Sequence, residues 1–289
     1  MATTVATEFE DKFADVDGTS IRYIEDGSGP AVLLFHGASL GSSADVYRRN
    51  IGPLAAEGFR VIAFDFPGYG LSDYSDDGSV PEKKKAAIGL MDALGLDKAA
   101  LVGHSQAGNV AVQMGLEQPD RVSHIIILGC GSLLPPLEGG AGKREDAVLQ
   151  RMDERMSQTE PTIEDTRKLL EATLFHHELI TDEELALRHS RSVGRNFEGF
   201  VARNNARAAA QKGGKGGGGT PLWQRMTELT MPLLLMYGRE DRARAAERFA
   251  LLKEKEPSLN MHLVLGCKHL MPWDAAENFQ KLAVPFLKK

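Results

Sequence analysis

Short, continuous apolar runs recur along the chain, and each one ends at or near a glycine. Apolar residues at every position are typical of a strand in a parallel sheet that is covered on both faces. The segments between the runs repeat their apolar residues with the period of a helix. The runs are AVLLFHG at 31–37, RVIAFDFPG at 60–68, AALVGHS at 99–105, HIIILGCG at 124–131 and MPLLLMYG at 231–238, with a further strand expected at 261–266. This alternation predicts a doubly wound α/β fold with a mostly parallel sheet.

The amino-terminal part of the chain has a different pattern. The stretches TEFEDKFADVDG (7–18) and SIRYIEDGSG (20–29) alternate apolar and polar residues, and an Asp-Gly pair stands between them. An Asp-Gly pair between two alternating stretches is typical of an antiparallel hairpin with a two-residue turn. We therefore expect a hairpin at the edge of the sheet, which brings the total to eight strands.

The strand-like runs stop between residues 132 and 220, where charged segments with helical period take their place. The last part of this stretch is GGKGGGG at 213–219, a low-complexity run that predicts a flexible loop. The strand pattern resumes at 231. The sequence thus predicts one sheet domain, built from residues 1–132 and 221–289, that is interrupted by a helical cap at 133–220.

Composition narrows the classes of function. The chain has 289 residues, of which 42% are hydrophobic and 26% charged, and its formal net charge is -6. This acidic balance argues against a nucleic-acid partner, and no apolar run is long enough to cross a membrane. The two cysteines, Cys130 and Cys267, are too few for a disulfide framework, so we expect a cytoplasmic protein. No phosphate-binding or dinucleotide-binding loop is present, which predicts a small organic ligand and neither cofactor nor metal.

A candidate nucleophile stands at the end of the third run. The sequence Gly103-His104-Ser105-Gln106-Ala107-Gly108 follows a predicted strand and precedes a predicted helix. This is the context of a nucleophile elbow, in which small residues around the serine allow a tight turn. The alternative is a serine that only caps the helix.

A serine nucleophile requires a histidine base, and that histidine requires a carboxylate to orient it. Asp241 follows the strand predicted at 231–238, and His269 follows the last predicted strand. The order serine, acid, histidine is that of the α/β-hydrolases. The neighbouring Glu240 is expected to point elsewhere.

Acyl chemistry also requires donors for an oxyanion, usually backbone N–H groups. One expected donor is the N–H of Gln106, directly after the nucleophile. The other is the N–H of Ala38, in the loop HGASLGSS at 36–43. His36 in the same loop is expected to support the loop rather than to act in catalysis.

The chain resembles the α/β-hydrolase superfamily and, within it, the meta-cleavage product hydrolases. The resemblance extends from about Ile21 to the carboxyl terminus. Its motifs are HGASLGSS, YRRNIGPLAAEGFRVIAFDFPGYGLSD, GLMDALGLDKAALVGHS, EQPDRVSHIIILG and YGREDR. The family cleaves carbon–carbon bonds in 2-hydroxy-6-oxohexa-2,4-dienoates, which ring-cleaving dioxygenases make from catechols.

The resemblance implies a role for each of the matching residues. Ser105, Asp241 and His269 would form the triad, with Ala38 and Gln106 as the oxyanion hole. Arg188, in the cap phrase ELITDEELALRHS, would bind the substrate carboxylate with its planar guanidinium. Without the resemblance, Arg188 would be a surface helix residue paired with Glu184. The substrate-contacting positions are then Gly37, Ser39, His104, Arg188, Leu270 and Trp273. A homodimer is common in such families.

Three positions differ from the family pattern and keep other functions open. His104 stands where asparagine is usual, Gln106 where methionine is usual, and Leu270 where tryptophan is usual, with Trp273 three residues later. These differences favour, as an alternative, a carboxylesterase or lactonase with the same triad. A third hypothesis is a non-catalytic ligand receptor built on the hydrolase fold.

Overall fold

An eight-stranded sheet is the centre of the fold. The computed structural model describes residues 8–138, 155–156, 158–212, 219–242 and 244–289. The strand order is β1-β2-β4-β3-β5-β6-β7-β8. The strands are β1 Lys12–Val16, β2 Thr19–Asp26, β3 Ala31–Phe35, β4 Arg60–Phe64, β5 Ala99–His104, β6 Val122–Leu128, β7 Leu233–Gly238 and β8 Asn260–Val264. The predicted mostly parallel sheet is confirmed.

The two ends of the sheet pair differently. Strands β1 and β2 form the expected antiparallel hairpin, in which Val16 pairs with Thr19. The two turn residues, Asp17 and Gly18, have φ angles of 52° and 81°, the left-handed geometry of a type I′ turn. From β4 to β8 every neighbouring pair is parallel. The carboxyl ends of these strands therefore lie along one edge of the sheet.

Helices cover both faces of the sheet, because alternate residues of the strands point to opposite sides. The helices of this part are α1 Arg48–Ala55, α2 Val80–Ala93, α3 Ala107–Glu117, α7 Leu222–Arg225, α8 Ala245–Lys255, α9 Met271–Asp274 and α10 Ala276–Leu287. Leu33 packs into one buried cluster with α2, α3 and α8, whereas Leu34 packs into a second cluster with α1 and α10. The doubly wound arrangement is also confirmed.

In the part of the predicted cap that the structure describes, three helices lie between β6 and α7. They are α4 Ile163–Thr173, α5 Asp182–Ser190 and α6 Arg195–Lys212. Thr162 begins α4 with a capping box to Asp165, and the Thr181 side chain caps α5. Residues 139–154 and 213–218, which include most of the glycine-rich run, lie outside the described residues. The domain boundaries at 132–133 and 220–221 stay a prediction.

Candidate active site

Ser105 occupies a strained turn between β5 and α3. Its φ of 55° lies in the left-handed region, which residues with a side chain seldom adopt. Gly103 allows this turn, because a Cβ there would lie 2.7 Å from the carbonyl oxygen of Ala107. A serine that only capped the helix would need no such strain. The geometry is that of a nucleophile elbow, as the sequence predicts.

Ser105, His269 and Asp241 are joined in a hydrogen-bonded chain. The Nε2 atom of His269 lies 2.9 Å from the Ser105 Oγ, and its Nδ1 atom lies 3.1 Å from the Asp241 Oδ2. Asp241 and His269 stand in the loops after β7 and β8, so the parallel strands bring residues far apart in sequence together. This geometry allows the imidazole to take the hydroxyl proton while the carboxylate orients the ring.

The electrostatics keep Asp241 ionised. Burial alone would raise its pKa, but the contact with His269 and the charge of Arg242 outweigh burial and lower that pKa below its ordinary value. The second oxygen of Asp241 accepts a hydrogen bond from the Arg242 N–H at 2.7 Å. Glu240 points away, as expected, and accepts from the Cys267 N–H at 3.0 Å.

Two backbone N–H groups beside Ser105 are available to an oxyanion. Ala38 and Gln106 both line the cavity that contains Ser105. Within the described part of the chain, neither N–H donates to another protein group. The loop carrying Ala38 passes close to the nucleophile, since a Cβ on Gly37 would lie 3.1 Å from the Ser105 Cβ. A side chain at position 37 would thus crowd the serine.

Two buried histidines, His36 and His104, lie at the loop that carries Ala38. His36 accepts from the Phe66 N–H at 3.0 Å through Nε2, so its Nδ1 donates to the Gly37 carbonyl at 2.7 Å. His104 donates from Nε2 to the carbonyl of His269 at 2.8 Å. Burial lowers the pKa of both rings to about 3, so both are neutral at pH 7. His36 therefore supports the loop, as the sequence predicts.

A cavity of about 400 Å³ contains the triad. Three of the expected substrate-contacting residues, Gly37, Ser39 and His104, line it. Leu169, Thr173 and Phe200 line it from the inserted helices. A neighbouring cavity of about 310 Å³ shares Ala38, Gln106 and Phe200 with it. The predicted residues of the triad and oxyanion hole therefore meet at one open space beneath these helices.

Known proteins share this sequence and fold. A family model described as the α/β hydrolase fold matches residues 30–276. The chain belongs to the α/β hydrolase fold family. It is 34% identical to the 2-hydroxy-6-oxo-6-phenylhexa-2,4-dienoate hydrolase of Burkholderia cepacia over 269 residues, which cover 90% of this hydrolase and 88% of the relative.

A second relative and a solved structure agree. The 2-hydroxy-6-oxononadienedioate/2-hydroxy-6-oxononatrienedioate hydrolase of Comamonas testosteroni is 32% identical, and the match covers 90% of this chain and 88% of the relative. The structure of a meta-cleavage product hydrolase from Pseudomonas fluorescens IP01 superposes with a TM-score of 0.75 at 26% identity, covering 96% of this chain and 97% of that one. The resemblance to meta-cleavage product hydrolases is confirmed.

Arg188 of the hydrolase is not a surface residue. Its side chain is 6% exposed, and its Nη2 atom donates to the Leu40 carbonyl at 2.8 Å and to the Ser39 hydroxyl at 3.1 Å. The Nε and Nη1 atoms are buried, with no hydrogen-bond partner among the described residues. Glu184 pairs instead with Arg49, at 3.4 Å, so the surface-pair alternative is wrong. Burial lowers the pKa of Arg188 to about 10, which leaves it charged at pH 7.

The structure does not bring every expected residue to the cavity. Arg188 touches Ser39, which lines the cavity, but is not itself among the lining residues. Leu270 and Trp273 are buried and lie outside the lining as well. Trp273 faces the Arg49 guanidinium at 5.7 Å and shares a small pocket with Arg188. Leu270 directly follows His269 and Trp273 stands four positions after it, but both side chains belong to the buried apolar cluster of Leu34.

One residue that contacts the site is not apparent from the sequence motifs. Lys83 of α2 is buried and donates to the Gln106 side chain. The run Lys83-Lys84-Lys85 suggests a solvated face, but the helical period shows otherwise. Lys83 precedes the buried Ala86, Ala87 and Leu90 by three, four and seven positions, the spacing of one helix face.

Across the described ranges of the hydrolase, no three His, Cys, Asp or Glu side chains are grouped as a metal ion would require. In that same part of the chain, no helix combines the length and apolar character needed to span a bilayer.

Proposed function

We propose that this protein hydrolyses a carbon–carbon bond in a 2-hydroxy-6-oxohexa-2,4-dienoate, with Ser105 as nucleophile. The observation that carries the proposal is the hydrogen-bonded chain from Ser105 Oγ through His269 to Asp241, in a chain 34% identical to an enzyme named for such a substrate. A cytoplasmic location, a homodimer and a cap at 133–220 are also proposed, on the sequence alone.

The first half of the reaction prepares the bond for cleavage. The 2-hydroxyl group of the dienol loses its proton while C5 gains one, so that the substrate becomes a 2,6-diketone. His269 and neighbouring groups in the cavity assist this proton transfer. The C5–C6 bond then lies next to an electron-accepting group, because the electrons released from it delocalise into the unsaturated 2-keto acid.

The second half uses the serine. His269 Nε2 takes the Ser105 proton as Oγ attacks the C6 carbonyl, and the resulting oxyanion accepts hydrogen bonds from the Ala38 and Gln106 N–H groups. The C5–C6 bond breaks, its electron pair passes into the 2-hydroxydienoate, and the proton held by His269 completes that product. Water, deprotonated by His269, then attacks the acyl-enzyme, and His269 returns that proton to the Ser105 Oγ as the acid leaves.

We assign the substrate carboxylate to the part of the cavity that Ser39 lines. Arg188 stands directly behind this hydroxyl, with two guanidinium nitrogens that lack partners among the described residues. A buried cation with unused donors is costly unless an anion reaches it. A carboxylate that displaces the Ser39 contact would supply that anion.

The charge of the cavity lining favours a polar 6-substituent. Arg207, Arg242 and Arg248 line the cavity, and Asp241 is the single carboxylate among the described lining residues. We therefore infer that the dicarboxylate named for the Comamonas relative suits this chain better than a 6-phenyl substrate. Comparing kcat/KM for the two tests this, and a preference for the phenyl compound would contradict it. Arg242→Gln should reduce the preference.

Ester hydrolysis is the second candidate, supported by the polar Gln106 and by His104 next to the nucleophile. One experiment separates the two activities. Loss of the visible absorbance of the dienolate is followed in parallel with release of p-nitrophenol from short esters, with Ser105→Ala as the control. We expect both signals, with the dienolate turned over faster. Rapid ester cleavage with an unchanged dienolate would exclude the carbon–carbon assignment, and no reaction in either assay would favour a receptor.

A further inference from the structure

A buried lysine contacts the residue that follows the nucleophile. Lys83, on α2, is 1% exposed, and its Nζ atom donates to the Oε1 atom of Gln106 at 2.7 Å. The ammonium group also lies 5.5 Å from the centre of the Phe66 ring and 5.2 Å from that of Tyr69. Both rings present their faces to the cation, which is the favourable side of an aromatic ring.

The neighbouring lysines are paired differently. Lys84 lies 2.7 Å from Glu117 and Lys85 lies 3.2 Å from Asp17, both at the surface. For Lys83, the described residues contain no carboxylate within ion-pair distance. An ammonium that is buried without a carboxylate destabilises a fold, and a methionine would fill the same space at lower cost. The lysine is therefore not explained by packing.

The contact fixes which way the Gln106 amide points. An ammonium group only donates, so the amide must present its oxygen to Lys83. The Nε2 atom then lies on the opposite branch of the planar amide, and Gln106 borders both the 400 Å³ and the 310 Å³ cavities. The same residue carries the backbone N–H proposed for the oxyanion hole. Lys83 thereby holds the side chain of the residue that directly follows Ser105.

We propose that Lys83 is a positioning residue for the oxyanion hole, acting through Gln106. The lysine fixes the side chain of Gln106, and this keeps the Gln106 backbone N–H aimed at the carbonyl under attack. Donors held in place before the reaction stabilise an oxyanion more than donors that must reorient. The inference rests on the proposed serine chemistry, but it holds equally for a ketone or an ester substrate.

The test compares Lys83→Met, Gln106→Met and the double variant, with Lys84→Met as the control from the same helix. We expect Lys83→Met to lower kcat about tenfold or more, with KM changed less than about twofold, for the dienoate and for a p-nitrophenyl ester. In the Gln106→Met background, the further loss on Lys83→Met should fall to less than about twofold, because the lysine acts through the glutamine. Lys84→Met should retain full kcat.

A second measurement does not depend on the substrate. The rate constant for labelling of Ser105 by a fluorophosphonate depends on the oxyanion hole as well as on the triad, and it should fall in parallel with kcat. An unchanged kcat in Lys83→Met would overturn the proposal. So would a Lys83→Met substitution that lowers kcat by the same factor in the unaltered protein and in the Gln106→Met background. If Lys83→Met does not fold, the Gln106→Met variant provides the test, because an unchanged kcat in that variant would also overturn the proposal. Absence of labelling and turnover in the unaltered protein would instead refute the proposed function.

Discussion

The sheet and the inserted helices differ in the mixture of contacts that holds them. The sheet buries continuous apolar strands, such as β3, between two layers of helices. The inserted helices also bury apolar residues against this core, among them Leu170 and Leu185. In addition, they contact the loops below them through arginines: Arg188 on Leu40, Arg191 on Asp45, and Arg203 on Ser75. Apolar burial is non-directional, whereas these hydrogen bonds fix direction. The sheet therefore supports the triad by apolar packing, while apolar packing and directed polar contacts together set the position of the inserted helices.

The largest effect on activity should come from a substitution that leaves the packing of the sheet and of the inserted helices unchanged. Ser105→Ala removes the nucleophile, and we expect kcat to fall at least about a thousandfold. The melting temperature should not fall, because alanine removes only the hydroxyl from this position. Steady-state kinetics and thermal unfolding test the two statements. Residual turnover above one per cent would assign the chemistry to another residue.

Substitution of one leucine in the sheet and one in the inserted helices compares how much each region contributes to stability. Leu34→Ala, in β3, should lower the free energy of unfolding by about 3–5 kcal/mol, because the fully buried site cannot collapse. Leu169→Ala, in α4, should cost about 2 kcal/mol or less, because its cluster is small and borders the cavity. Urea unfolding of both variants provides the comparison. Equal costs would show that the inserted helices are as tightly packed as the sheet.

Arg188 tests whether the inserted helices select the substrate. Arg188→Met should raise KM for the dienoate by about 10- to 100-fold, since a charge-assisted contact to the carboxylate is lost. For a neutral p-nitrophenyl ester, kcat/KM should stay within about threefold of the original. Arg191→Met is the control, because Arg191 attaches the same segment to Asp45 but does not line the cavity of the triad. A similar KM in all three proteins would leave Arg188 as an attachment of the helices only.

Sequence patterns predict the sheet, the elbow and the order of the triad, because each depends on local residues or on chain order. The strand ends place Ser105, Asp241 and His269 at one edge without further information. Burial of Arg188 and Lys83 is harder to predict, since both belong to charged segments that resemble a solvated helix face. Trp273 shows the opposite error: proximity to His269 in sequence suggests a pocket wall, but the turn into α9 directs it towards Arg49.

The smallest effect concerns the buried histidines beneath the nucleophile. The folded-state pKa of His104 is about 3, below the value of about 6.5 in an unfolded chain, so between these pH values only the unfolded state binds the proton. Stability must therefore fall as pH drops below 6.5, by up to about 1.4 kcal/mol per pH unit for each such histidine. His104→Asn removes one contribution and leaves that of His36, so the variant should lose about 2 kcal/mol less than the unaltered protein between pH 6.5 and 5. Urea unfolding at the two pH values measures this difference. Identical losses would mean that His104 takes up its proton in the folded state, and that burial does not lower its pKa as expected.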